Sequence, residues 1–127
     1  MAKTKLKILI IESDLVFRRS LYKVLSKNDY TVFVAANDTE ARELCEQMQF
    51  HLVIIDIRYS STFDIECLRH LRVLHPDSKV IIISTFRRRE FEKNFLTTDF
   101  DSYLMKPVKR VELLKTVRQT LLPFSTV

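Results

Sequence analysis

The sequence contains no glycine among its 127 residues. Loops that cradle nucleotide phosphates depend on glycine, because they need positive φ angles and a close approach of the backbone to the ligand. The absence therefore excludes a glycine-rich phosphate loop and argues against a P-loop or Rossmann-type nucleotide enzyme.

Cysteine and long apolar runs are also scarce. Cys45 and Cys67 are the two cysteines; they have neither CxxC spacing nor a neighbouring histidine cluster, which favours reduced thiols in a cytoplasmic protein. No apolar run approaches the roughly 18 residues that a membrane span needs. The apolar stretch 8–11 is too short for a signal-peptide core, and we interpret it as a strand.

Positively charged residues only slightly outnumber negatively charged ones. Lysine and arginine number 21 against 16 aspartate and glutamate residues, a formal net charge of +5. A basic surface attracts nucleic acid, lipid or acidic partners. The basic residues are spread along the chain, however, and the run Arg87-Arg88-Arg89 accompanies no helix-turn-helix pattern, so direct nucleic-acid binding is not expected.

Two kinds of apolar pattern alternate along the chain. Short runs rich in valine and isoleucine, without polar alternation, are typical of strands buried on both faces. Segments with apolar residues at helical spacing follow each run. The predicted strands are 6–11, 31–36, 51–56, 79–84 and 102–105. The predicted helices are 14–27, one capped by Asn37 and Glu40, 64–74, 88–96, and a last one with Pro107 in its first turn and an apolar face of Val111, Leu114, Val117 and Leu121.

This β-α alternation, repeated five times without an internal linker, predicts an α/β protein with a doubly wound parallel sheet and helices on both faces. We expect a single domain over 1–127 with its core at about 6–122. In such a sheet, ligands bind beyond the carboxyl ends of the strands. Polar residues collect at these ends: Glu12, Ser13 and Asp14 after the first strand, Asp56 after the third, Ser84 and Thr85 after the fourth, and Lys106 and Pro107 after the fifth.

The three histidines do not reach that edge. His51 begins a strand, His70 lies within a helix and His75 precedes Pro76. No catalytic triad can be assembled at the carboxyl edge, so an enzyme with turnover on a small substrate is not expected.

Several motifs resemble the response-regulator receiver family of two-component signalling, the CheY-like superfamily. These are Ile8-Leu-Ile-Ile-Glu-Ser-Asp14, Leu52-Val-Ile-Ile-Asp56, Val80-Ile-Ile-Ile-Ser84 and Tyr103-Leu-Met-Lys106-Pro107. The resemblance runs from about residue 6 to residue 122. It implies a flavodoxin-like fold with five helices, strand order 2-1-3-4-5 and a cis-proline junction at Pro107.

The resemblance also implies roles for individual residues. Asp56 would accept the phosphoryl group, and Ser84, Thr85 and Lys106 would lie against it, with Tyr103 coupled to Ser84 in a two-state switch. A Mg²⁺ ion would bind the family's acidic pocket, where the matching positions are Ser13, Asp56 and the backbone carbonyl of Arg58.

The sequence departs from the family at this pocket. Ser13 replaces the acid that usually ligates the metal, so Mg²⁺ binding should be weaker; Glu12 or Asp14 could supply the missing carboxylate. Arg58 could place its guanidinium over the acids or point to solvent. Tyr59-Ser60 and Asp64 stand where the family tends to have Met-Pro and glycine.

The sequence therefore supports two alternative functions. The first is a receiver that takes a phosphoryl group from a histidine kinase or phosphotransfer protein onto Asp56, and signals to a downstream protein through the fourth helix, fifth strand and fifth helix; a homodimer is compatible with this. The alternative is a pseudo-receiver, an interaction module that signals without phosphate.

Overall fold

A computed structural model describes residues 4–58, 62–95 and 99–125. Tyr59, Ser60 and the predicted helix end at Leu96 lie outside these ranges. Strands and helices alternate along the described chain as predicted. The elements are β1 (Lys7–Ile11), α1 (Leu15–Ser26), β2 (Thr31–Ala35), α2 (Asp38–Gln47), β3 (Leu52–Asp56), α3 (Thr62–Leu74), β4 (Lys79–Ser84), α4 (Arg88–Phe95), β5 (Ser102–Met105) and α5 (Arg110–Leu121), followed by a short 3₁₀ helix (Leu122–Phe124).

The five strands form one parallel sheet in the order β2-β1-β3-β4-β5. Both the fold class and the predicted strand order are confirmed. The chain order reverses between β1 and β3, and at such a reversal the connections leave the carboxyl ends of the two strands on opposite faces of the sheet. A crevice therefore opens beyond Ile11 and Asp56, where β1 and β3 end side by side.

The strands are apolar through their middle positions, with polar residues at their ends, because each face of the sheet is covered by helices. Along β1, Ile8 and Ile10 pack into a cluster with residues of α1 and α5, whereas Leu9 and Ile11 pack into a second cluster with residues of α2, α3 and α4. β3 and β4 divide in the same way. Side chains alternate between the faces with a period of two, so both sets are buried.

Side chains cap the first two helices where the sequence predicts it. Asp14 accepts a hydrogen bond from the Val16 amide at 3.2 Å and begins α1. Asn37 accepts one from the Glu40 amide at 2.9 Å and begins α2, while Glu40 accepts one in return from the Ala36 amide at 3.1 Å. The two bonds resemble a capping box, with the return bond one residue earlier than the cap.

The start and the buried face of the last helix differ from the prediction. α5 begins at Arg110, so Pro107 precedes the helix and does not lie in its first turn. Val111 is 79% exposed, and the buried residues of α5 are Leu113, Val117, Thr120 and Leu121. Of the predicted apolar face, Val117 and Leu121 are buried and Leu114 is partly buried against the core, so Val111 is the residue that the prediction placed wrongly. The buried face also includes a polar residue, Thr120, whose hydroxyl forms hydrogen bonds with Ser102 Oγ and the Thr116 carbonyl, both at 2.7 Å.

The apolar faces of α3 and α4 are formed by residues at helical spacing. Leu68 and Leu71 of α3 are buried, but Leu74 is 46% exposed because the helix ends there, at the edge of the domain. In α4, Phe91 is fully buried and Phe95 is half-buried. The aromatic pair thus anchors a helix that is otherwise polar.

Without glycine, the turn between α1 and β2 places an aspartate in the left-handed region. Asp29 has φ 70°, and it is the positive-φ residue of the described chain. Aspartate is among the few residues that enter this region readily, because its short side chain bonds locally.

Cys45 and Cys67 are free and buried, and burial raises the pKa of Cys45 to about 11. Within the described ranges, no helix has the length and apolar character to cross a membrane.

Candidate functional site: an acidic pocket at the carboxyl edge

The register of the sheet brings Glu12, Asp56 and Lys106 to one place. Ile11 pairs with Ile55, so the next residues of the two chains, Glu12 and Asp56, leave the sheet side by side. Lys106 follows β5 and reaches back across the edge, where Nζ lies 2.7 Å from Asp56 Oδ2. The Asp56 side chain is only 5% exposed, so this ion pair is formed in a weakly solvated position.

Glu12 is a second buried acid beside Asp56, with 3% of its surface exposed. Its Oε1 accepts a hydrogen bond from the Asp14 amide at 2.8 Å. Burial, followed by a hydrogen bond shared with Asp56, raises the pKa of Glu12 to about 8, against the opposing effects of the Asp14 amide and Lys106. Near neutral pH the raised pKa favours the protonated form of Glu12 in the absence of another cation.

Two carboxylate oxygens in this pocket have no amide, hydroxyl or cationic donor among the described residues. Glu12 Oε2 and Asp56 Oδ1 are both buried and accept no hydrogen bond from an amide, hydroxyl or cationic group. Buried oxygens of this kind normally find a partner. Carboxylate and carbonyl oxygens are the ligands that Mg²⁺ prefers, usually together with several waters. Glu12 and Asp56 therefore fit a divalent cation, with the backbone carbonyl of Arg58 as the further ligand that the family resemblance implies, even though the described residues contain no group of three metal-binding side chains.

The two residues that follow Glu12, Ser13 and Asp14, are used differently. Ser13 is exposed, and its Oγ accepts a hydrogen bond from Arg58 Nη1 at 3.4 Å. Asp14 is also exposed, and its carboxylate caps α1. Of the two replacements considered from the sequence, Glu12 turns into the pocket and Asp14 is engaged by the helix.

Arg58 neither covers Asp56 fully nor points freely to solvent. Its side chain is 53% exposed and is held by Asp64, with Nε 3.2 Å from Oδ2 and Nη2 3.3 Å from Oδ1. This pairing, chiefly its hydrogen bonds, raises the pKa of Arg58, and the charges of Asp56 and Glu12 act in the same direction. The sequence singled out Asp64 only as an unusual residue; the partnership depends on the path of the loop, which no local pattern reveals.

A cavity of about 340 Å³ opens above these residues. Its walls come from the ends of β1 and β3, the start of α2 and the start of α3. The residues that line it and carry charge are Glu12, Asp38, Asp56, Arg58 and Asp64. A larger surface cavity of about 540 Å³ and a smaller one of about 280 Å³ lie at the opposite edge of the sheet, around His51 and Phe124, away from the predicted chemistry.

The predicted switch residues are joined through Phe86. Ser84 is fully buried, and its Oγ accepts a hydrogen bond from the Phe86 amide at 3.2 Å. The Tyr103 hydroxyl donates to the Phe86 carbonyl. The Tyr103 ring packs on Phe91 and Phe100, with centroids 5.4 and 5.8 Å away. Thr85 is exposed beside this turn.

The remaining predictions about this edge concern the proline and the histidines. The Lys106–Pro107 peptide bond is cis, as expected. His51 and His75 lie at the amino edge of the sheet, where His51 Nδ1 accepts from the Lys7 amide at 2.9 Å and His75 Nε2 contacts the Cys45 carbonyl at 2.8 Å. His70 of α3 pairs with Asp38 at 3.4 Å. None of the three contacts Asp56, but His70 meets Asp38, which lines the cavity at the carboxyl edge, so the prediction that no histidine reaches this edge fails for His70.

Two supporting residues were not found from the sequence. Phe17 lies beneath Lys106, with the ammonium 5.0 Å from the ring centroid, where a cation is attracted by the ring face. Arg18 Nη1 donates to the Glu12 carbonyl at 2.9 Å and fixes the β1–α1 turn. Their spacing indicated a helix but gave no sign of these contacts.

Comparison with known proteins decides the family. The family model described as "Response regulator receiver domain" matches residues 8–118. The chain belongs to the response-regulator receiver family. It is a receiver domain of the two-component signalling type, a class of signalling module for which phosphorylation and Mg²⁺ binding are typical.

Curated relatives of this receiver domain are longer than the chain itself. It is 31% identical over 110 residues to the transcriptional regulatory protein HptR of Staphylococcus aureus, covering 84% of this chain and 43% of that protein. It is 29% identical over 116 residues to the sensor kinase CckA of Brucella abortus, covering 90% of this chain and 12% of that protein. The chain thus spans less than half the length of either relative.

Solved receiver structures share the fold closely. A CheY-like receiver domain protein from Methanospirillum hungatei has a TM-score of 0.82 at 28% identity and covers 93% of this chain and 94% of its own. A two-component response regulator from Clostridium difficile has a TM-score of 0.84 at 21% identity, covering 96% of this chain and all of its own. The second likeness, at this low identity, concerns the fold alone.

Proposed function

We propose that this receiver domain accepts a phosphoryl group on Asp56 from a phosphohistidine of a histidine kinase or phosphotransfer protein. The observation that supports this most is the Asp56 carboxylate itself. It is buried at the carboxyl edge, paired with Lys106 at 2.7 Å, and keeps one oxygen without a donor. A nucleophile needs such an ionised, oriented and partly unbonded oxygen.

The transfer forms one bond and breaks one. The Asp56 carboxylate attacks phosphorus, and the P–N bond breaks with its electron pair returning to the imidazole of the partner. Lys106 is placed to pair with a phosphoryl oxygen as charge moves onto it. A Mg²⁺ ion held by Glu12, Asp56 and the Arg58 carbonyl would offset negative charge on the carboxylate and the phosphoryl group.

A phosphoryl group on Asp56 would then draw Ser84 toward it. Ser84 Oγ is bonded to the Phe86 amide, and the Phe86 carbonyl is bonded to Tyr103, so movement of the Ser84 hydroxyl changes the turn that holds Tyr103. This chain of contacts supports the proposal that Ser84 and Tyr103 form the switch between two states.

The signal would leave through the surface of α4, β5 and α5. Arg87, Arg89, Met105 and Val111 are exposed on these elements or the turn before them. Arg88 is held by Glu92 at 3.1 Å and lies over Phe100, with its guanidinium carbon 5.1 Å from the ring centroid. A basic rim with exposed apolar side chains fits an acidic protein partner or a second copy of the domain.

Phosphorylation is tested with acetyl phosphate and Mg²⁺, followed by intact mass, and with beryllofluoride followed by NMR. We expect one phosphoryl adduct in the wild type, none in Asp56→Asn, and chemical-shift changes at Ser84 and Tyr103. Absence of both the adduct and the shifts at saturating Mg²⁺ would refute the proposal.

A second function is favoured by one observation, the contact of Arg58 with Ser13 at the place where the family carries an acid. In that case the domain is a pseudo-receiver that binds its partner without phosphate. It predicts that Asp56→Asn leaves partner binding and cellular function unchanged, whereas the first proposal predicts their loss.

A further inference from the structure

Arg58 is fixed in place by more contacts than an exposed arginine usually makes. Its backbone amide donates to Asp64 Oδ2 at 3.0 Å, and its guanidinium meets both oxygens of the same carboxylate at 3.2 and 3.3 Å. The remaining nitrogen, Nη1, donates to Ser13 Oγ at 3.4 Å. The guanidinium therefore bridges the start of α3 and the end of β1 across the mouth of the pocket.

The three residues of this bridge are positions at which the sequence is expected to depart from the family it resembles. By that resemblance Ser13 stands where an acid is expected and Asp64 where a glycine is expected, and Arg58 contacts both. Each of these three residues alone is ordinary in a solvated loop. Together they form one connected cluster, in which the serine accepts from the arginine and the aspartate orients it.

The charge of Arg58 acts on the same acids that would hold a divalent cation. Arg58 lines the cavity together with Glu12 and Asp56, whose free oxygens are buried there. An arginine keeps its proton at any physiological pH, so its charge is permanent. A second cation entering the pocket is repelled by it, and the repulsion is larger for a divalent ion than for a monovalent one.

We propose that Arg58, oriented by Asp64 and Ser13, is a built-in counter-ion that competes with the divalent cation for the acidic pocket. It balances part of the carboxylate charge in the metal-free state and lowers the affinity of the pocket for Mg²⁺. This rests on the proposed function only in taking the same pocket as the cation site; it does not require that Asp56 be phosphorylated.

The test is to titrate the unphosphorylated domain with Mg²⁺ in low-salt buffer and to measure binding by ¹H–¹⁵N NMR. Loss of one nearby positive charge should tighten the Mg²⁺ dissociation constant roughly tenfold in Arg58→Ala. Arg58→Gln, which keeps a long polar side chain over the loop, should give the same direction. Arg69→Ala is the matched control, because Arg69 is an exposed arginine of α3 paired with Glu66 away from the pocket; its dissociation constant should equal that of the wild type.

A double-mutant cycle tests the contact between Arg58 and Ser13. Ser13→Asp restores the family's acid, but in the wild-type background the new carboxylate lies within reach of Arg58. We expect Ser13→Asp to tighten Mg²⁺ binding several-fold more in the Arg58→Ala background than alone.

Two results overturn the proposal. One is that Arg58→Ala and Arg58→Gln bind Mg²⁺ no more tightly than the wild type, including the case in which none of them binds. The other is that the effects of Ser13→Asp and Arg58→Ala are additive. Failure of the wild type to form a phosphoryl adduct, with tighter Mg²⁺ binding in both Arg58 variants, would refute the proposed function and leave this inference standing.

Discussion

Replacing Glu12 by glutamine should make the metal-free domain more stable at alkaline pH. Glutamine has nearly the shape of protonated glutamate and cannot ionise. The pKa of Glu12 is raised to about 8 by burial and by Asp56, whereas an unperturbed glutamate titrates near 4.5. A raised acid pKa contributes stability that is complete below the unfolded pKa and is lost as the pH rises through the folded one.

The size of the effect follows from the difference between the two pKa values. Each pKa unit corresponds to about 1.4 kcal/mol. The interval from 4.5 to about 8 therefore gives an upper limit near 5 kcal/mol for the stability that the wild type loses when Glu12 ionises. Water that enters the pocket when Glu12 ionises reduces this loss. We therefore expect the free energy of unfolding of Glu12→Gln to exceed that of the wild type by about 3 kcal/mol at pH 9. At pH 4.5 the two proteins should differ by less than about 1 kcal/mol.

Urea unfolding followed by circular dichroism, in excess EDTA at pH 4.5, 7 and 9, measures this difference. Glu43→Gln is the matched control, since Glu43 is an exposed glutamate of α2; its stability should follow that of the wild type at each pH. A difference between Glu12→Gln and the wild type that is equal at pH 4.5 and 9, or that favours the wild type at pH 9, would refute the reasoning. Adding Mg²⁺ at pH 9 should stabilise the wild type more than Glu12→Gln, because ionised Glu12 is then a ligand.

Two further predictions concern the fold. Val117→Ala should destabilise the domain by about 2 kcal/mol because Val117 is fully buried, whereas Val111→Ala on the same helix should change the free energy of unfolding by less than about 0.5 kcal/mol; equal effects in urea unfolding would contradict the orientation of α5. Asn37→Ala should cost about 1 kcal/mol because it removes the cap of α2, and Asn37→Asp, which keeps an accepting oxygen, should restore most of it; an unchanged unfolding midpoint in Asn37→Ala would show that the cap is not formed in solution.

The helices show how far spacing alone carries a prediction. In α3, Leu68 and Leu71 are buried as their spacing indicates. In α5, Val117 and Leu121 are buried as predicted, but the helix presents Thr120 to the sheet and Val111 to solvent. Periodicity measures apolar character, but a buried hydroxyl with two hydrogen-bond partners is tolerated where an apolar residue is expected.

In the pocket, too, some residues could be placed from the sequence and others could not. Glu12, Asp56, Ser84 and Lys106 could be placed together from the sequence, because the carboxyl ends of parallel strands share one edge. The partnership of Arg58 with Asp64 could not, because it depends on how the backbone turns between β3 and α3.

What the sequence by itself determined is the architecture and the list of polar residues at its carboxyl edge. Val/Ile runs without polar alternation required a sheet covered on both faces, and the absence of glycine removed the phosphate-loop enzymes. What only the tertiary structure decided is how charge is distributed in the pocket. Whether Glu12 or Asp14 turns inward, and whether Arg58 meets Asp64 or solvent, depends on distances of a few ångströms across three loops. Electrostatic interactions change steeply over such distances and with burial, so they follow from packing and not from residue order.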